Sequence, residues 1–217
     1  MARTSTSGSI RNGSFRKTHR LILAVLPFAP DTTTFEYKAC DVSMLATESK
    51  LTEHLIGIGE EIAVSGLFVS RTGNKRNIPI VRFGNLAAMP VEKLPDKKGL
   101  DYHAYLIEVR SIGGLSGSPV FAFLGPSRVH EGKINLLQTV LLLLGVVRGH
   151  WRQPRTNRRV SALADDAANL NLGIAVVTSA TELEAIINGD HLAQGRAAKD
   201  EKLISESAAA IREDSTI

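Results

Sequence analysis

Residues 113–121 read GGLSGSPVF, and the reading of this stretch governs the rest of the chain. Two glycines, a Ser–Gly–Ser step and Pro119 interrupt an apolar chain just before a β-type run, Val120-Phe121-Ala122-Phe123. Glycines on both sides of Ser116 let the backbone turn tightly enough for N–H groups to converge on one point. Nucleophilic catalysis needs such a setting: an exposed hydroxyl, a base beside it, and amide donors aimed at a developing oxyanion. A plain Gly/Ser hairpin loop has the same composition.

Outward from this loop, the chain from about 20 to 178 is a series of short apolar runs punctuated by turn residues. Candidate strands are RLILAVL, FEYKACDVSML, EIAVSGLFVS, IPIVRFG, AYLIEVRS, SPVFAFLG, INLLQTVLLLLGVVRG and LGIAVVTS. Several alternate, and most are rich in Val and Ile. No strand alternates regularly with a helix, so a barrel or sandwich is expected rather than an α/β sheet. The pattern changes at Ser179-Ala180-Thr181-Glu182, which has capping-box spacing ahead of Leu183, Ile186 and Ile187 on one helical face. A helix over about 180–188 follows, then a helical or disordered tail over 191–217.

Composition sets the outer bounds. The chain has 217 residues, 43% of them hydrophobic and 22% charged, which supports a packed core. A net charge of +4 permits anionic partners without arguing for them. One cysteine, Cys40, excludes an intrachain disulfide. The run Val140–Val147 is far short of a membrane span, so none is expected. Residues 1–20 hold five basic residues and no acid ahead of LILAVLPFA, a pattern shared by a targeting peptide and by a basic, flexible segment before a strand. The compartment stays open: cytoplasmic as the chain stands, with an export signal conceivable further upstream.

The segment Gly114-Leu115-Ser116-Gly117-Ser118-Pro119 resembles the Gly-x-Ser-Gly-Gly/Ser-Pro signature of the trypsin-like (chymotrypsin-fold) serine peptidases. The resemblance implies a double β-barrel with a C-terminal helix. It also implies Ser116 as nucleophile, with the N–H groups of Gly114 and Ser116 as oxyanion hole. The elbow of α/β-hydrolases fits less well, because position 118 is Ser and a strand follows where a helix is required. Asp41-Val42-Ser43-Met44-Leu45 is similar to the step that carries the family's triad aspartate, on the expected side of Ser116. A strand-start acid is the plainer reading of Asp41. IGIGEEIAVSGL resembles the strand that opens the second barrel. Leu144–Gly149 and Asn171–Val177 resemble the walls of the specificity pocket. These last two segments make Arg148, Gly149, His150 and Gly173 the candidate substrate-binding residues. Neither a metal nor a cofactor is implied.

The resemblance breaks at the general base. A serine hydroxyl is a weak nucleophile unless a neighbour takes its proton. In the family that neighbour is a His before the Asp, and His19 alone of the six histidines precedes Asp41. Its setting, Arg16-Lys17-Thr18-His19-Arg20-Leu21, lacks small residues and crowds the imidazole with cations that disfavour its protonated form. The expectation is therefore a chain beginning after the catalytic His, with an incomplete first barrel over about 21–55 and a second over about 56–178. The N-terminal half would then be poorly ordered, or its exposed apolar edges would be covered by residues 1–30, by a completing partner chain or by a homo-oligomer.

Residues 148–159, RGHWRQPRTNRR, gather Arg148, Arg152, Arg155, Arg158 and Arg159 with His150 and Trp151. A solvated hairpin tip is the plain reading. Selection of acidic side chains in a peptide comes next, and nucleic-acid binding after it. The resemblance implies a serine endopeptidase homologue acting through an acyl-enzyme at Ser116, inactive or weakly active. A non-catalytic peptide-binding or scaffolding relative is the alternative.

Overall fold

The computed structural model describes residues 23–28, 30–67, 73–74, 76–95, 101–109, 114–125, 128–130, 133–135, 139–151 and 173–214. The chain divides into two compact units, Lys38–Leu183 and the described residues of Met1–Tyr37 with Glu184–Ile217.

The unit over Lys38–Leu183 is a closed, six-stranded antiparallel barrel. Its strands are β1 (Glu61–Leu67), β2 (Pro79–Ala88), β3 (Tyr105–Val109), β4 (Pro119–Leu124), β7 (Val140–His150) and β8 (Ile174–Ser179). The hairpin of β5 (Arg128–His130) and β6 (Lys133–Asn135) is a separate two-stranded sheet between β4 and β7. Around the barrel the order is β1-β2-β3-β8-β7-β4. Strands β1 to β3 follow one another, and β4 returns beside β1, which is the Greek-key arrangement. The β7–β8 hairpin then closes the gap between β4 and β3, leaving no sheet edge open.

Alternation in the sequence decides which side chains fill the barrel. Ile62 and Val64 of β1, Leu86 of β2, Tyr105, Ile107 and Val109 of β3 turn inward. So do Val120, Ala122 and Leu124 of β4, Leu142, Leu144 and Val147 of β7, and Ala175 and Val177 of β8. Each fully buried Val, Leu or Ile contributes roughly 1.5–3 kcal/mol. The interior residues, rather than the loops, therefore carry the stability of the unit. A second cluster lies on the outer face of the sheet, where Leu45, Leu143 and Ala180 pack with Phe121 and Leu183.

No strand precedes Glu61 among the described residues. The strand expected over 35–45 is instead extended chain ending in a short 3-10 turn, Val42–Met44. The reason is local: the Asp41 carboxylate accepts the Ser43 N–H at 2.7 Å, which diverts the backbone from a ladder into a turn. A single parallel bridge, Leu45 to Leu143, ties this segment to β7. Helix α1 (Glu48–Glu53) follows, unforeseen in the sequence. It ends with Ile56 N–H on the Leu51 carbonyl and Leu55 N–H on the Thr52 carbonyl, a Schellman arrangement with Leu55 at φ 51°. The strand expected over 20–26 is not formed in its described residues, apart from one bridge residue.

Helix α2 (Ala180–Ile187) starts where the capping signal places it, with Ser179 Oγ accepting the Glu182 N–H at 3.3 Å. In the other unit, helix α3 runs over Asp190–Asp214. Within that unit Arg196 donates to the Ile187 carbonyl at 2.7 Å. Among the described residues no helix is long and apolar enough to cross a membrane.

Candidate functional site

The loop carrying Ser116 lies between β3 and β4, the two strands that begin and end beside the β7–β8 hairpin. It is anchored at both ends. Leu115 is buried in the barrel core, and Ser118 is buried as well. Between them Ser118 N–H donates to the Leu115 carbonyl at 3.0 Å, closing a β-turn over 115–118. Gly117 stands third in that turn at φ 86°, the position where a type II turn requires a positive φ. The Ser–Gly–Ser pattern is thus explained: the turn needs glycine after the exposed serine, and Ser116 occupies the open second position.

Two further hydrogen bonds lock the turn to β7. Gly117 N–H donates to the Val147 carbonyl at 2.7 Å, and Val147 N–H donates to the Ser118 carbonyl at 2.9 Å. The amides of Gly114, Leu115 and Ser116 have no acceptor among the described residues. Gly114 itself sits at φ 105°. Ordinary loops leave such donors to water, and a ligand oxygen satisfies them equally well.

The candidate binding residues converge on the same end of the barrel. Arg148, Gly149 and His150 form the last residues of β7, and Gly173 immediately precedes β8. Gly149 pairs with Val176 and His150 with Ala175. The Gly173 carbonyl accepts the Val109 N–H at 2.8 Å, at the end of β3 that leads into the serine loop. Arg148 is half-buried, and its guanidinium carbon lies 3.7 Å from the centroid of the Tyr102 ring.

Asp41 is placed differently. Its carboxylate is fully exposed and serves as the cap of the 3-10 turn; among the described residues no hydrogen bond links it to the serine loop or to an imidazole. Bonds from the Ser43 side chain and backbone hold its pKa below the ordinary carboxylate value. Neither does an imidazole hydrogen-bond Ser116 among the described residues. His103, in an exposed setting, engages the Pro90 carbonyl through Nδ1 at 2.9 Å. His19, Arg152, Arg155, Arg158 and Arg159 lie outside the described residues. No group of three potential metal ligands occurs among the described residues.

Three residues of this site escaped the sequence reading: Gly66, where a β-carbon would meet the side chains of Ser118 and Leu115, Val147 as the strand tie, and Tyr102. Gly66 left a signal, because a lone glycine inside an alternating strand often marks a close backbone approach. Tyr102 left none. No family model matches the chain, and no curated protein or solved structure matches it either.

Proposed function

We propose that this chain is a trypsin-like serine endopeptidase homologue, its described barrel corresponding to the second of that fold's two barrels. Ser116 is the residue acylated, and the amides of Gly114 and Ser116 are the donors to the oxyanion. The observation that carries this reading is the turn itself. An exposed hydroxyl stands on a glycine-dependent turn tied by two hydrogen bonds to the neighbouring strand, with amides on its N-terminal side that have no acceptor among the described residues. In the acylation step Ser116 Oγ bonds to the peptide carbonyl carbon, and its proton passes to the amide nitrogen, which leaves as the free amine when the C–N bond breaks. Water then attacks the ester carbon, releases the carboxylic acid and returns a proton to Ser116 Oγ. Turnover is slow or absent on this reading, because among the described residues no imidazole is bonded to Ser116 to take that proton.

The test is covalent capture. A fluorophosphonate probe should form its adduct on Ser116 and on no other serine, and Ser116→Ala should abolish it. Absence of an adduct at Ser116, or adducts scattered over several serines, contradicts the proposal.

The capping role of the Asp41 carboxylate supports a second reading, a peptide-binding relative that keeps the groove and not the chemistry. Binding of peptides without any capture of Ser116 would favour it.

A further inference from the structure

We propose that Tyr102 and Arg148 form a carboxylate-recognising site that selects acidic side chains in a bound peptide. The inference rests on the reading above for its ligand class, and otherwise on the geometry of these two residues.

Val147 spends both its backbone N–H and its carbonyl on the serine turn, and its side chain fills the barrel core. The next residue, Arg148, lies in the irregularity of the β7–β8 ladder between Val147 and Gly149. A residue in such a bulge is re-aimed relative to its neighbours, and bulges commonly serve that purpose beside functional sites. Arg148 ends with its guanidinium carbon 3.7 Å from the Tyr102 ring centroid. Tyr102 is itself held, its N–H donating to the Leu94 carbonyl at 3.1 Å and its carbonyl accepting the Leu94 N–H at 2.8 Å. The backbone that carries the aromatic ring is therefore held in place.

Stacking uses the face of the guanidinium and leaves its in-plane N–H donors unspent. Among the described residues Arg148 has neither a carboxylate partner nor a hydrogen-bond acceptor. A half-buried cation that is stacked on a ring and whose donors are unused among the described residues is arranged for an incoming anion. The planar fork matches a carboxylate in two parallel hydrogen bonds. A single guanidinium balances a single carboxylate, whereas a nucleic-acid backbone is gripped through several phosphate contacts. The location sets the ligand's path: one residue along β7 from the tie to the Ser116 turn, so an acidic side chain seated here belongs to a chain passing the serine.

The experiment is calorimetric titration of the full chain with two synthetic peptide pools, identical except that Glu and Asp in one are Gln and Asn in the other. The acidic pool should bind roughly tenfold more tightly. Arg148→Met should erase the preference, and Arg148→Lys, which keeps charge but loses the plane, should restore only part of it. Tyr102→Phe should keep the preference, while Tyr102→Leu should weaken it. Equal affinity for the pools, binding of neither, or an unchanged preference in a folded Arg148→Met variant would overturn the proposal. So would a single-stranded RNA oligomer that displaces the acidic pool with a steep salt dependence. An acidic preference that survives in a protein whose Ser116 cannot be captured would retire the peptidase reading and leave this site standing.

Discussion

Gly66 of β1 stands directly behind Ser118 of the serine turn: a β-carbon at position 66 would lie 2.3 Å from the Ser118 Oγ and 2.8 Å from the Leu115 Cδ2. Both of those atoms belong to the buried ends of the turn that presents Ser116. Position 66 is thus a wall of the candidate site, although it contributes no chemistry.

Gly66→Ala should cost about 1–3 kcal/mol by overpacking. It should also speed hydrogen exchange at the Gly117 amide, the donor that ties the turn to Val147. Pairing it with Ser118→Ala removes the closest clash and should recover part of both losses. Urea unfolding and exchange rates on the two variants check this, and a double variant no better than Gly66→Ala would refute the proposed contact.

Gly117→Ala tests the turn by a separate route. Among the described residues, its two chain neighbours aside, no atom lies within 4 Å of a β-carbon at 117, so crowding plays no part. The strain comes from φ 86° alone and should cost about 1–2 kcal/mol. Urea denaturation is the measurement, and a neutral substitution would mean the turn is not of type II.

Leu55 is the one non-glycine residue at positive φ among the described residues. It occupies the position after helix α1 that glycine normally fills, and its side chain is 60% exposed, so little packing is lost on truncation. Leu55→Gly should therefore stabilise the protein by about 1 kcal/mol, read as a higher urea midpoint. A lower midpoint would show that the exposed leucine does unrecognised work.

Tyr105 is buried in the barrel, and burial, assisted by the nearby Glu48 charge, raises its pKa above 10.0. The folded state therefore holds the phenolic proton more tightly than the unfolded state does. Its contribution to stability is complete below pH 10 and is lost as pH rises through the folded-state value. Tyr105→Phe should remove that alkaline component and flatten the stability profile above pH 10. Denaturation midpoints of both proteins across that range provide the check.

The barrel was legible wherever alternation and turn residues agreed. Ile62 and Val64 with Gly66, or Val120, Ala122 and Leu124 after Pro119, announce their strands and their inner faces. The serine turn was legible for a related reason, since Gly117 is needed for a backbone shape that few other residues adopt. The stretch over 35–45 misled because its apolar and aromatic residues match a strand, while the hydrogen bond that the Ser43 N–H donates to the Asp41 carboxylate turns the backbone away from one. Tyr102 was hidden because stacking with Arg148 joins residues 46 apart in sequence, and no local pattern encodes such a meeting. Asp41 illustrates a different gap. A motif can name a residue for a role, but its partners in space are a property of the fold.

The central claim, a Ser116 hydroxyl poised for acylation and short of a base, is tested most directly by the rate of fluorophosphonate capture as free imidazole is titrated. Capture confined to Ser116, slow without imidazole and rising in proportion to its concentration, is the predicted result. An absent adduct at every imidazole concentration, or a rate on Ser116 no greater than on other exposed serines, would contradict the account.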